Sequence, residues 1–314
     1  MTFTPFLRAF VIAFLVLVGG SAAILLSCGA DFPAPHLSTS PSFNEKAKWL
    51  RRTLADNDGR CDTVVVGSSM ALNAIDGPRL AGAHGRVINI ASFGIGPEES
   101  LRILEPVLAR CRPKTILMAT YHGDLTQPHP EDKGIDWPAF DRYARGGPDW
   151  RAYAAQFDPY YLLERSFKAW QLHRGMAWDQ TGSVKLACDG RDIERARWNG
   201  YLQEPFGPPR PAALAALGRI AALAEAGGGR FVVAVVPLRP EVEAHFRVAE
   251  RAALWGTVGS AIAPSGGVVV RPAGNATFRV PDFVDFAHLN YCGAQRWTGM
   301  VLADLARQGT APGR

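Results

Sequence analysis

The sequence predicts an α/β fold, a parallel β-sheet covered by helices on both faces, with one apolar helix ahead of it. Two observations carry the sheet. Short β-branched runs recur at Thr63–Val66, Arg86–Ile90, Thr115–Thr120, Phe231–Val236 and Val268–Val270, continuously apolar rather than alternating. Strands of that kind are buried on both faces. Helical patterns lie between or after several of them, at Pro97–Arg110, Pro211–Ala226 and Pro240–Trp255, and this alternation implies parallel pairing. The third observation is N-terminal: Ala9–Ser27 contains no charged residue.

That first element reads as a membrane segment. Its 19 residues, at about 1.5 Å each, span roughly 28 Å, close to the hydrocarbon thickness of a bilayer. Arg8 and the α-amino group precede it, and Asp31 is the first charge after it. This predicts a bacterial inner-membrane anchor over 9–27, with residues 1–8 as a cytoplasmic stub and the body outside. Leu25-Leu26-Ser27-Cys28-Gly29 resembles a lipobox, so a lipoprotein at Cys28 is the alternative, and a cleaved signal peptide a third fate. The length of the apolar run favours retention.

Prolines 33, 35 and 41 mark residues 28–41 as a linker. Ser42-Phe43-Asn44-Glu45 then has the form of a capping box opening a helix, FNEKAKWLRRTLAD. Pro97-Glu98-Glu99 opens another, with proline in the first turn and acids at the positive dipole end. The expected globular domain is 42–308, and 309–314 a tail. One region breaks the rhythm: residues 125–209 show no clear strand yet hold five of the 8 tryptophans, Trp137, Trp150, Trp170, Trp178 and Trp198. These would form either a lid that stacks on sugar rings or the aromatic packing that holds an insertion down.

Composition narrows the function. With 47% hydrophobic and 20% charged residues the chain suits a packed globular body, and a net charge of +5 from scattered arginines gives no nucleic-acid signature. His36, His84, His129, His173 and His245 show no metal-ligand spacing, and no cofactor motif is present. Of the cysteines, Cys28 belongs to the anchor and none of Cys61, Cys111, Cys188 and Cys292 forms CxxC. Cys61 and Cys111 each stand just before a strand; neighbouring strands would bring them into disulfide range, the alternative being two buried thiols.

Two motifs carry chemistry. In VVVGSSMAL, Val64–Leu72, a strand ends in Gly67-Ser68-Ser69 and enters a turn and a helix. Such a turn presents a serine beside the free N–H groups of a helix N-terminus, which suit a developing oxyanion. In FVDFAHLNYCGAQRW, Asp285 and His288 lie three apart before the last helix. Serine chemistry needs a base and a carboxylate to orient it, and D-x-x-H offers both from one loop.

Together these motifs resemble the SGNH (GDSL-like) hydrolase superfamily over roughly Cys61–Leu305, with the insertion outside the match. The resemblance implies a three-layer α/β/α sandwich with a flavodoxin-like parallel sheet. It implies Ser69 as nucleophile, His288 as base and Asp285 as its acid partner, with the Ser69 amide and Gly94 of INIASFGIGPEES in the oxyanion hole. Where the family carries G-x-N-D this chain reads Tyr121-His122-Gly123-Asp124, so His122 or Gly123 would have to replace the asparagine donor. The Gly-Ser-Ser form resembles envelope-anchored branches that handle acyl groups. The expected function is an envelope esterase or O-acyltransferase acting on an acylated, in particular O-acetylated, glycan or cell-wall polymer. The alternative is a non-catalytic SGNH-fold module that binds glycan or a partner membrane acyltransferase. A nucleotide site at Gly94-Ile95-Gly96 is the weaker rival, because Pro97 and Glu98 stand where a third glycine would be needed.

Overall fold

The computed structural model describes residues 3–27, 35–56, 59–127, 134–146, 176–188, 207–271 and 278–309. Seven strands are present among them: β1 (Thr63–Val66), β2 (Val87–Asn89), β3 (Thr115–Thr120), β4 (Met176–Trp178), β5 (Val184–Leu186), β6 (Arg230–Val235) and β7 (Val268–Val270). Five of them form a wholly parallel sheet in the order β2-β1-β3-β6-β7. The protein is thus α/β with a parallel sheet flanked by helices, an arrangement compatible with a flavodoxin-like fold.

The two faces can be read off alternate residues, because successive side chains of a strand point to opposite sides. Val64, Val66, Ile116, Met118, Phe231 and Val233 enter one core. It is covered by α2 (Pro41–Asp56), α5 (Pro97–Leu108), α7 (Trp137–Ala144) and the helices Pro211–Ala226 and Val248–Ile262. Val65, Leu117, Ala119, Val232 and Ala234 enter the other, under α3 (Ser69–Ala74), α4 (Gly77–His84) and the last helix, Tyr291–Gly309. After β1 the chain moves to β2 on one side and then to β3 on the other. The carboxyl ends of β1 and β3 therefore flank a topological switch point, where such sheets bind ligands.

The first helix, α1 (Phe3–Ser27), runs unbroken for 25 residues, and its Phe6, Phe10, Ile12, Leu15, Val16 and Leu17 are exposed. Over the described residues no helix is long and apolar enough to cross a membrane. For α1 the described side chains are those of residues 4–20 and Ala23, whereas its backbone continues to Ser27. Cys28 and residues 29–34 lie outside the described residues.

Several boundaries differ from expectation. Residues 35–40 are not linker but part of the body: Leu37 and Ser38 are buried, Leu37 N–H donates to Asn44 Oδ1 at 2.9 Å, and Asp136 N–H donates to Leu37 O at 2.9 Å. α2 accordingly starts at Pro41, one residue before the expected capping box, with Ser40 O accepting from Asn44 N–H. The single helix expected over Pro240–Trp255 is two, Pro240–Glu243 and Val248–Ile262. The chain turns between them so that Phe246 is buried. The stretch expected to lack strands contains β4 and β5, paired antiparallel through a turn at Gly182, whose φ is +86°.

Buried polar bonds dock that hairpin onto the sheet edge. Lys46 Nζ, from α2, donates to Asn89 O (2.9 Å) and Gly182 O (2.6 Å), while Asn89 N–H donates to Thr181 O (2.8 Å). Burial holds the Lys46 ammonium well below its usual value, with Asp179 opposing. Two disulfides complete the frame. Cys61–Cys111, with Cα atoms 5.8 Å apart, joins the starts of neighbouring strands β1 and β3. Cys188–Cys292, a pairing the sequence leaves unassigned, ties the residue two beyond β5 to the last helix.

Gly67 leaves β1 at φ +129°, and a Cβ there would stand 2.9 Å from Ala119 O. Gly82, exposed in α4, has open space around it. Gly67→Ala should therefore lose about 1–3 kcal/mol, whereas Gly82→Ala should gain about 0.5–1 kcal/mol. Urea unfolding midpoints of the two variants against the parent give both signs in one experiment.

Candidate active site

The turn after β1 separates its two serines by direction. Ser68 is the N-cap of α3, its Oγ accepting from Met70 N–H at 3.1 Å, and is 1% exposed. Its own hydroxyl proton goes to Asp124 Oδ2 at 2.8 Å. The same oxygen accepts from Thr120 Oγ1 at 2.8 Å, so one buried carboxylate fastens the β1 turn to the end of β3. Ser69, the first residue of α3, is partly open to solvent. Its amide heads the helix and so has no intrahelical acceptor.

The second half of the site arrives from 219 positions further along the chain. Residues 278–290 fold into a closed loop: Phe283 bridges Leu289, and Val284 N–H donates to His288 O at 2.9 Å. Asn290, wholly buried, donates to Pro281 O at 2.6 Å and accepts from Gly293 N–H at 3.0 Å, capping the last helix. Trp297 of that helix donates its indole N–H to Val235 O at 3.2 Å, pinning the helix to the end of β6.

Within this loop Asp285 Oδ1 accepts from the amides of Ala287 (2.8 Å) and His288 (2.7 Å). Its Oδ2 stands 2.6 Å from His288 Nδ1, and His288 Nε2 stands 2.7 Å from Ser69 Oγ. Burial works against the Asp285 charge. The facing His288, its ring hydrogen bond and the two amides outweigh it and hold the carboxyl below its usual value. An ionised carboxylate only accepts, so Nδ1 donates to it; in the neutral imidazole Nε2 is then the acceptor, and the Ser69 hydroxyl donates to it. The structure thus brings Ser69, His288 and Asp285 into one continuous relay.

The remaining site residues lie around the same switch point. Gly94, at φ +60° and partly exposed, sits in a loop fastened to the β1 turn by Ser92 N–H to Gly67 O at 3.2 Å. Among the described residues its amide has no acceptor. α6 (His122–Thr126) begins directly after β3. His122 packs edge-on against Phe246 at 4.4 Å and Tyr121 at 5.1 Å between ring centroids. Gly123 is buried beneath Tyr121, whose Oη and Cζ lie 2.4 Å from where a Cβ would be. As the second residue of α6, Gly123 also carries an amide with no intrahelical acceptor.

Sequence reasoning named Asp124 only as the acid of the G-x-N-D position and gave neither it nor Thr120 a role at Ser68. Their only local signal is an acid four residues after a strand-ending threonine, and its meaning appears only when Ser68 lies opposite. Of the tryptophans in the insertion, Trp137 packs on Phe140 at 5.8 Å and beneath Arg102 at 4.5 Å, on the side of the sheet covered by α2 and α5. It holds the insertion down. Trp150, Trp170 and Trp198 and the side chain of Trp178 lie outside the described residues. A cavity of about 530 Å³ opens at the opposite edge of the sheet, between Arg60, Arg110, Arg112 and the Cys61–Cys111 bridge, away from Ser69. Among the described residues no cluster of His, Cys, Asp and Glu is placed to hold a metal ion. Compared with protein-family models and with curated proteins, the chain matches none.

Dense packing holds the His122 pKa down, from 6.5 to about 4; Asp124 opposes this and Arg251 adds to it. Part of the His122 residue still reaches solvent, but desolvation of the ring dominates. Above pH 6.5 the residue is neutral in both the folded and unfolded chain. As pH falls from 6.5 towards about 4, only the unfolded chain takes up the proton, so stability is lost across that window. His122→Gln should flatten that part of the stability–pH profile relative to the parent, as measured by urea unfolding midpoints between pH 4 and 7.

Proposed function

We propose that the chain is a membrane-anchored serine enzyme of SGNH type, an envelope esterase or O-acyltransferase acting on an acylated, in particular O-acetylated, glycan or cell-wall polymer. The observation that carries this reading is the Ser69–His288–Asp285 relay, with spacings of 2.7 and 2.6 Å, at the carboxyl edge of a parallel sheet.

The chemistry follows from the proton positions. Ser69 Oγ attacks the ester carbonyl carbon as its proton passes to His288 Nε2, and Asp285 stabilises the imidazolium. The carbonyl oxygen becomes an oxyanion facing the amides of Ser69 and Gly94, with Gly123 N–H or the His122 ring in the place of the family's asparagine. Collapse breaks the ester C–O bond, and the leaving alkoxide takes the proton from Nε2. Water, or a sugar or polyol hydroxyl, then gives its proton to Nε2 and attacks the acyl-serine; the acyl C–Oγ bond breaks, Ser69 Oγ takes the proton back from Nε2, and an acid or a new ester is released.

Support for the envelope location comes from α1, whose apolar side chains are exposed along the helix. The two disulfides fit an oxidising compartment. In this reading α1 spans the inner membrane with its N-terminus inside, and a partner membrane acyltransferase is a natural acyl source. The second reading, a non-catalytic module that binds glycan or such a partner, is favoured by one observation. The residues at the asparagine position, His122 and Gly123, are engaged with Tyr121 and Phe246.

A fluorophosphonate probe should label Ser69, identified by peptide mass spectrometry, and Ser69→Ala should remove the adduct. No adduct on folded protein would sink the enzyme reading in favour of the binding module. On an acetyl ester, Ser69→Ala should cost on the order of 10⁶-fold in turnover and Asp285→Asn about 10⁴-fold, with unfolding midpoints checked alongside.

A further inference from the structure

The direction of α2 fixes which end of the body the tether meets. Lys46, near its start, reaches Asn89 O at the carboxyl end of β2, while the chain leaving its far end enters β1 at Thr63. α2 therefore runs against the strands, and Pro41 lies at the carboxyl edge of the sheet. Leu37 lies there too, bonded to Asp136 just ahead of α7. This is the edge that carries Ser69 and His288. Between the end of α1 at Ser27 and the buried Pro35 lie residues 28–34, which even fully extended reach only about 28 Å.

The opposite edge is far by that measure. α2 has 16 residues, so it is about 24 Å long. Turning that edge to the bilayer would use most of the tether to run back along the body. The rim around the site also has a distinct surface. Outside α1, Val248 and Val280 are the exposed large hydrophobic side chains among the described residues, at 73% and 39%. Each follows an exposed arginine, Arg247 and Arg279, the former in a loose surface pair with Glu250 at 3.9 Å that headgroup phosphates can replace. Val248 lies two residues beyond Phe246, which packs on His122, and Val280 lies next to Pro281, which is bonded to Asn290 of the histidine loop. A basic head beside a small apolar group suits the boundary between lipid headgroups and acyl chains.

We propose that the Ser69 mouth faces the bilayer surface, with Arg247–Val248 and Arg279–Val280 resting against phospholipid headgroups, so that the ester it receives is one held at the membrane. This rests on α1 being the anchor. The rival orientation has a physical basis of its own: Arg60, Arg86, Arg110, Arg112 and Lys114 are all exposed at the far edge, and anionic lipid attracts such a group. The tether length weighs against it.

The test uses the full chain in liposomes of phosphatidylethanolamine and phosphatidylglycerol containing headgroup-spin-labelled lipid. A fluorophore is placed at Val248→Cys, Val280→Cys or Arg112→Cys in a Cys28→Ser background. Quenching should be several-fold stronger at 248 and 280 than at 112, and a 20-residue spacer inserted after Ala34 should shrink the difference. Equal quenching at all three sites, or stronger quenching at 112, overturns the proposal. Protein that fails to float with the liposomes removes the anchor and the proposal with it. Rim quenching without a fluorophosphonate adduct at Ser69 leaves the orientation standing and removes only the enzyme reading.

Discussion

The turn at Gly67 brings the chain leaving β1 hard against the backbone of β3, and the buried carboxylate of Asp124 then locks it there through Ser68 and Thr120. That pair of constraints decides where Ser69 points. With Ser68 turned inward as both N-cap and donor to Asp124, the next residue has to face the crevice, at the head of a helix in which its own amide has no intrahelical acceptor. A side chain at position 67 would push the turn off β3 and take the whole edge with it. The Ser92 bond to Gly67 O shows how far the dependence extends, since the loop carrying Gly94 hangs from the same turn.

The other half of the site is built by a different logic. Asp285 accepts two amides from its own loop before it meets the imidazole, so its charge is fixed by local backbone and its direction by Oδ2 alone. Asn290 closes the loop behind it and Trp297 fastens the helix that follows. Ser69 and His288 are more than two hundred residues apart in sequence, and only the completed sheet, with the last helix laid across it, holds them within hydrogen-bond reach. Arranging both groups beforehand is where a serine enzyme gains much of its rate.

Much of this was legible beforehand, and the gaps have physical causes. Strands buried on both faces announce themselves as unbroken β-branched runs, so β1, β3 and β7 have the expected bounds, and Pro97 marks the start of α5. The serine and the D-x-x-H pair were legible because each sits in a short motif with its own chemistry. The hairpin β4–β5 was not, because its strands are three residues long and owe their place to Lys46 and Asn89 rather than to their own pattern. The break in the helix expected from Pro240 was hidden for a similar reason: Phe246 is drawn inward by His122, a contact no local pattern encodes. Asp124, named only as the acid of the G-x-N-D position, gave no sign of its bond to the β1 turn until Ser68 stood across from it.

The bridge between Cys188 and Cys292 joins two points that enclose the end of the insertion, β6, β7 and the histidine loop. A single break in the backbone anywhere between them would leave Ser69 on one polypeptide and the last helix on another, with both still covalently one molecule. Breaks between 189 and 284 would also part Ser69 from His288 in sequence without releasing either from the other's reach. A cut at 189–209, the part of the insertion that lies inside the bridge, would thus leave the two halves of the site covalently joined, and it would show as two chains only after reduction.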